Sequence, residues 1–175
     1  MSDITVRTLG VEEWDQYRTM RLRALAESPE AFVATHADEE AEAEDFWRAR
    51  MQRSTRLLAE REEEALGIAS VGALGEDEPH IAQLFGLWVR PEARGSGVAA
   101  ALVRSGARVA AEQGRSHLYY WVGTDNGRAV AFASSFGFRP TGNRRPMRVV
   151  SEDDGEEEVA MTLPLGGDRG GIANL

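Results

Sequence analysis

The chain has 175 residues, 42% of them hydrophobic and 28% charged, which fits one globular domain with a sizeable core and argues against a low-complexity or membrane-dominated chain. Its 29 acidic and 20 basic residues give a net charge of −9, which opposes nucleic-acid binding, and no basic stripe with interleaved aromatics offsets it. Cysteine is absent, so disulfides, thiolate nucleophiles and cysteine-ligated metals are excluded, in keeping with a reducing cytosol. The opening residues Met1-Ser2-Asp3-Ile4 carry no apolar secretory core, and the apolar run 98–103 is far too short to cross a bilayer. A cytoplasmic enzyme or binding protein is expected. The acidic surface reads as ordinary solubility, with attraction of cationic amines as the sharper alternative.

Residues 3–9 set Ile4, Val6 and Thr8 against Thr5, Arg7 and Leu9 and predict a first strand. Residues 11–26 place Val11, Trp14, Leu22 and Leu25 near one helical face, with Tyr17 beside it. Ser28-Pro29-Glu30 reads as an N-cap with proline at the first helical position, hence a short second helical turn. Residues 38–53 predict one charged helix anchored by Phe46, Trp47 and Met51. Its acidic run of Glu39, Glu40, Glu42 and Glu44 reads as a solvated face, or as a lip that attracts amines. Residues 56–62 and 65–74 predict a hairpin around Glu62-Glu63-Glu64. A turn at 75–79 leads to a strand over 80–89, in which Gly86 marks a bulge or close backbone approach.

Residues 98–113 form a long helix stopped by Gly114. A β-rich run follows at 116–122, holding Tyr119, Tyr120 and Trp121. Asp125 or Asn126 caps a helix to about residue 136; Gly137 ends it and Phe138 starts a strand. Residues 144–154 read as a charged loop or strand end, and 158–163 as the last strand. Four glycines and little to bury make the end of the chain, 166–175, a disordered tail. The order β α α β β β α β α β β predicts a mixed α/β (α+β) fold over residues 1–165, with hairpins early and a crossover in the centre.

One stretch concentrates the chemical signal: Arg90-Pro91-Glu92-Ala93-Arg94-Gly95-Ser96-Gly97-Val98-Ala99. Pro91 cannot continue a ladder and ends the strand before it. Gly95 and Gly97 permit a sharp turn and a close approach. Ser96 is a good N-cap, which leaves the amides of Gly97, Val98 and Ala99 pointing out of a new helix start. Strand, glycine turn and helix N-terminus together make an anion seat, and Arg94 at its rim adds a positive charge, so the stretch reads as a diphosphate-binding loop. Residues 95–100 also satisfy G-x-G-x-x-A. That dinucleotide reading fails on two counts: residues 90–94 separate the motif from its strand, and Tyr119-Tyr120-Trp121 stands where an acidic residue about 20 positions on is needed.

Arg94-Gly95-Ser96-Gly97-Val98-Ala99 resembles the Q/R-x-x-G-x-G/A motif of the GNAT superfamily of N-acetyltransferases. Leu87-Trp88-Val89-Arg90-Pro91 is similar to the strand preceding that motif, and Asn126, Ala129, Gly137 and Phe138 resemble the family's N-x-x-A … G-F signature. The resemblance runs from about residue 3 to residue 164. It implies a GNAT-type mixed, mostly antiparallel sheet of six to seven strands with flanking helices, splayed between a central parallel pair at 80–89 and 116–122. It implies acetyl-CoA as acetyl donor and no metal. The backbone of Leu87, Trp88 and Val89 would pair with the pantetheine arm like an added strand. The diphosphate would sit on the amides of Gly95, Ser96, Gly97, Val98 and Ala99 beside Arg94. Asn126 would contact the cofactor near its pantetheine end or order the local loop, simple helix capping being equally open.

The implied activity is acetyl transfer to a primary amine, on a small molecule or a protein, directly within a ternary complex. A non-catalytic acyl-CoA-binding or regulatory module is the alternative. The resemblance allows a homodimer, and neither nucleic acid nor membrane is an expected partner. Proton handling departs from the family pattern. Gln83 stands where many members carry a glutamate base, and Ala133 where many carry a tyrosine acid; neither can move a proton. Ser134 and Ser135 read as helix-end serines. By the resemblance Tyr120 and Val122 face the core, so Tyr119 and Trp121 face the acceptor side. Tyr119 is the catalytic candidate that accepts or relays a proton, packing being its alternative, and Trp121 lines the acceptor. Phe32 and His36 line the same site from the segment between the first helices. His80 and His117 read as surface histidines, and Glu30 as a first-turn helix acid.

Overall fold

The computed structural model describes residues 3–124, 126–146 and 157–166. Its strands are β1 (Thr5–Leu9), β2 (Thr55–Arg61), β3 (Glu64–Gly75), β4 (Glu78–Val89), β5 (His117–Gly123), β6 (Arg139–Pro146) and β7 (Glu157–Pro164). Its α-helices are α1 (Trp14–Glu27), α2 (His36–Glu40), α3 (Glu44–Arg53), α4 (Val98–Glu112) and α5 (Gly127–Ser135). The strands form one sheet in the order β1-β2-β3-β4-β5-β7-β6. β4 and β5 make its parallel pair. This is the mixed, mostly antiparallel seven-stranded architecture that the sequence predicts.

The chain divides into two compact units. The first comprises residues up to Gly72 together with Gly86–Gly106. Here β2 and β3 read as near-continuous buried runs, Leu57 to Ala59 and Leu66 to Val71, as strands covered on both faces must. On one face Ile68, Leu58 and Trp88 join a cluster with Tyr17, Met20 and Leu25 of α1 and Trp47 and Met51 of α3. On the other face Val98 and Leu102 of α4 approach Gly67. A Cβ at Gly67 would stand 2.7 Å from the Trp88 carbonyl oxygen, so only glycine lets β3 and the end of β4 come this close. The β2–β3 turn puts Glu62 and Glu63 at φ 52° and 69°, a left-handed pair that closes a two-residue hairpin.

The single helix expected over 38–53 is instead α2 and α3, broken around Ala41 and Ala43. In one straight helix positions 39 and 50 would lie ~16 Å apart along the axis. The break folds α3 back so that Arg50 reaches Glu39, at 3.0 and 2.9 Å, while Arg21 of α1 reaches the same carboxylate at 3.0 and 3.1 Å. Glu39 is therefore 4% exposed, which corrects the solvated reading of this member of the acidic run. Burial raises its pKa, but the hydrogen bonds and charges of Arg21 and Arg50 outweigh that and hold it below the ordinary glutamate value.

The second unit comprises Ala73–Phe85 and the chain from Ala107 onward. The parallel register runs from Ile81↔His117 to Leu84↔Tyr120. Within β4, Gly86 of the first unit takes φ +64°, in keeping with the expected irregularity. β5 and β7 pair antiparallel from His117↔Pro164 to Gly123↔Glu158, and β6 pairs with β7 across an irregularity between Pro140 and Arg144. Leu118, Val122, Met161, Ala133 and Phe138 form the buried interior, with the Tyr120 ring tilted against Phe138. Gly114 stops α4 at φ +81°, with Arg115 N–H donating to the Ala110 carbonyl. Arg144 to Pro146 belong to β6, while the remainder of the charged segment expected at 144–154 lies outside the described residues. So does the expected tail beyond Gly166. Leu165 itself is buried, its N–H donating to the Ser116 carbonyl.

Candidate active site

In the first unit the glycine-rich stretch folds as strand, turn and helix. Pro91–Ala93 makes a 3-10 turn directly after β4, with the Ala93 N–H on the Arg90 carbonyl. Gly95 and Gly97 take φ +82° and +94°, which other residues rarely adopt. A Cβ at either would meet nothing within 4 Å, so both open on free space. Near the start of α4, Ala101 N–H closes a turn on the Gly97 carbonyl, so the amides of Val98, Ala99 and Ala100 precede any intrahelical acceptor. Main-chain donors at a helix start, beside a turn that carries no side chain at Gly95 or Gly97, are what a diphosphate group requires. The cradle fits it.

The Ser96 hydroxyl donates back to the Ala93 carbonyl and braces the turn. Arg94 is exposed beside the turn and anchored there. Its Nε donates to the Val89 carbonyl at 2.8 Å and its Nη2 to Ser28 Oγ at 3.4 Å, which fastens the turn to the end of β4. Ser28 holds the expected N-cap position of the 3-10 turn Pro29–Ala31, but its hydroxyl makes no capping bond there and instead accepts from two partners, the second being the Trp88 indole N–H at 3.1 Å. The side chains of Trp88 and Val89 are buried and Leu87 is half-buried, leaving the backbone of this segment as the part that could meet a ligand.

The segment between α1 and α3 carries Phe32 and His36 in the same unit. Phe32 packs against the core cluster, and the Arg21 guanidinium lies 5.0 Å over its ring. His36 is the first residue of α2, whose N-cap Thr35 accepts from Asp38 N–H; its Nδ1 stands 3.8 Å from Glu40.

Within the second unit Gln83 and Tyr119 are register partners across the parallel pair. The Tyr119 hydroxyl accepts a hydrogen bond from Asn143 Nδ2 of β6 at 3.2 Å. Asn143 was not singled out in the sequence, because no local pattern ties positions 119 and 143. Trp121 lies under the Arg145 guanidinium at 3.9 Å, and Arg145 is held in turn by Glu158 at 2.8 Å. Tyr120 takes the opposite, buried side of β5, where desolvation raises its pKa. Asn126 caps α5: its side-chain oxygen accepts from Ala129 N–H at 3.0 Å. Ala133 is buried and its carbonyl accepts from Phe136 and Phe138, while Ser135 Oγ donates to the Phe132 carbonyl, a helix-end role. Among the described residues no group of three or more His, Asp or Glu side chains could hold a metal ion, and no helix is long and apolar enough to cross a membrane.

The chain is similar to human N-acetyltransferase 8, with 42% identity over 89 residues, covering 49% of this chain and 38% of that protein. It spans less than half the length of the curated relatives it matches. An N-acetyltransferase from Staphylococcus aureus Mu50 superposes with a TM-score of 0.70 at 16% identity, covering 93% of this chain and 99% of that one. A putative acetyltransferase from Salmonella typhimurium, solved with its cofactor acetyl-CoA, superposes with a TM-score of 0.69 at 17% identity, over 93% of this chain and 94% of that one. The family model described as acetyltransferase (GNAT) family matches residues 17–138, the greater part of the sequence, and the chain belongs to that family.

Proposed function

We propose that residues 1–165 form an acetyl-CoA-dependent N-acetyltransferase that moves an acetyl group to a primary amine by direct transfer in a ternary complex. The observation that carries this reading is the open turn from Gly95 to Ala99, whose free helix-start amides suit a diphosphate. Charge-assisted hydrogen bonds of this kind contribute roughly 1.5–3 kcal/mol each, enough in number to hold an anionic carrier without a metal. The backbone from Leu87 to Val89 is the edge for the pantetheine arm, and a main-chain amide near Val89 polarises the thioester carbonyl.

The amine nitrogen attacks the acetyl carbonyl, the carbon–sulfur bond breaks, and the thiolate takes a proton while the amine loses one to solvent. A lysine-like amine costs about 4–5 kcal/mol to be neutral at pH 7, so it must enter the site desolvated or through a water chain. With Gln83 and Ala133 unable to move protons, Tyr119 is the residue that relays one. The Asn143 N–H occupies its oxygen as a donor, which leaves the phenol proton to be handed to the departing sulfur. Phe32, His36 and Trp121 are the acceptor-side residues, and Asn126 orders the start of α5 through its cap. A cytoplasmic location accords with the cysteine-free composition.

Thiol release from acetyl-CoA across a panel of primary amines tests this. Release that depends on one class of amine is expected. Tight acetyl-CoA binding with no amine-dependent release would instead favour a non-catalytic acyl-CoA-binding module.

A further inference from the structure

Ser28 joins two parts of the first unit that the proposed function uses for different ends. Its N–H closes α1 on the Ala24 carbonyl, and its own carbonyl accepts from Ala31 N–H, so it is the hinge between α1 and the segment leading to Phe32 and His36. Its hydroxyl, in a residue 6% exposed, accepts from the Trp88 indole at the end of β4 and from Arg94 at the start of the glycine turn. Arg94 is itself tied to the Val89 carbonyl. A second tie runs alongside: Glu92, in the 3-10 turn before Arg94, accepts from Arg23 of α1 at 3.3 Å and from Arg90 at 3.0 Å.

The segment that starts at Ser28 is largely exposed and touches the core only through Phe32 and Ala34. Pro29, Glu30, Ala31, Thr35 and Ala37 are exposed, and Val33 is the one large hydrophobic side chain described as exposed, at 65%. Its fixed points are Ser28 at one end, the Phe32 ring under Arg21 in the middle, and Glu39 at the other end. A segment with few packed side chains opens easily, and its order depends on its anchors.

We propose that Ser28 is a positioning residue through which occupation of the glycine turn fixes the acceptor-side segment 29–36. An anion on the amides of residues 97–99 holds the turn; the turn holds the Arg94 guanidinium; and Arg94, with Trp88, holds the Ser28 hydroxyl from which the segment departs. Coupling of this kind is reciprocal, so an ordered acceptor segment also favours the filled turn. The inference rests on the diphosphate seat of the proposed function.

Hydrogen exchange on the full chain, with and without saturating coenzyme A, tests it. In the wild type, coenzyme A should slow exchange at residues 94–99 and also at 29–36. In Ser28→Ala the protection at 94–99 should persist, while the ligand-induced protection at 29–36 falls about tenfold, as for loss of one hydrogen bond from a charged donor. Ser28→Thr, which keeps the hydroxyl, should restore it. Protection confined to 94–99 in the wild type would overturn the coupling and leave the diphosphate seat standing. A loosening of 29–36 in Ser28→Ala that is the same with and without ligand would reduce Ser28 to a structural residue. No protection at 94–99 in any form would remove the seat itself, and this inference with it.

Discussion

The role proposed for Gly97 rests on its having no side chain. Its φ of +94° and the open space where a Cβ would stand leave the amides behind it bare. Gly97→Trp projects an indole into that space and should abolish acetyl-CoA binding by calorimetry, with the fold kept but locally strained by about 1–2 kcal/mol. Unchanged affinity would show that the diphosphate sits elsewhere. Tyr119 differs in kind, because its hydroxyl has a named partner in Asn143. Tyr119→Phe should lower kcat by about 10²-fold, within the range of general acid catalysis, and leave acetyl-CoA affinity near wild type. Rate profiles that coincide across pH for the two proteins would return the ring to a packing role.

At the scale of elements, the backbone proposed to face the cofactor is placed by the strand next to it. β3 can press against the end of β4 and under α4 because residue 67 is glycine, with the Trp88 carbonyl 2.7 Å from where a Cβ would be and Val98 and Leu102 at 3.2 and 3.3 Å. Backbone cannot yield as a flexible side chain can, so Gly67→Ala must displace the segment proposed to pair with pantetheine. A loss of about 1–3 kcal/mol in stability is expected from overpacking, together with weaker acetyl-CoA binding, as read by denaturant titration and calorimetry on the same variant. A variant destabilised to that extent but binding normally would show that the β4 end adjusts without cost to the ligand.

Over the whole molecule, 29 acidic residues outnumber 20 basic ones, yet among the described residues one acid is turned inward and matched by two arginines. Glu39 ties α2 to α1 and to α3, and its folded pKa lies below the ordinary value of 4.5. A depressed carboxylate contributes stability that is fully present above its unfolded pKa and disappears as pH falls through the folded one. Acid should therefore destabilise the protein progressively below about pH 4.5, the ordinary glutamate value, and Glu39 should account for part of that slope. Glu39→Gln should flatten the acid limb and cost about 3 kcal/mol at neutral pH, the lower end for a broken buried pair because both arginines retain some solvent contact. Parallel acid limbs for the variant and the wild type would show that the pair contributes no pH-dependent stability.

Much of this architecture was legible in the residues themselves because its signals are local. Alternation along β1, the Gly114 and Gly137 stops, Asn126 at a helix start and the spacing of Gly95 and Gly97 each act through backbone conformation or bonds a few residues away. Seven strands in their chain order follow from such signals, and so does the family resemblance. What the tertiary structure alone decided involves partners distant in sequence. Glu39 turned inward because Arg21 and Arg50 converge on it, the Ser28 hydroxyl makes no capping bond because Trp88 and Arg94 both donate to it, and Tyr119 found Asn143 on another strand. A polar side chain goes where its best partner is once solvent has been excluded, and no window of neighbouring residues records which partner the fold will bring to it.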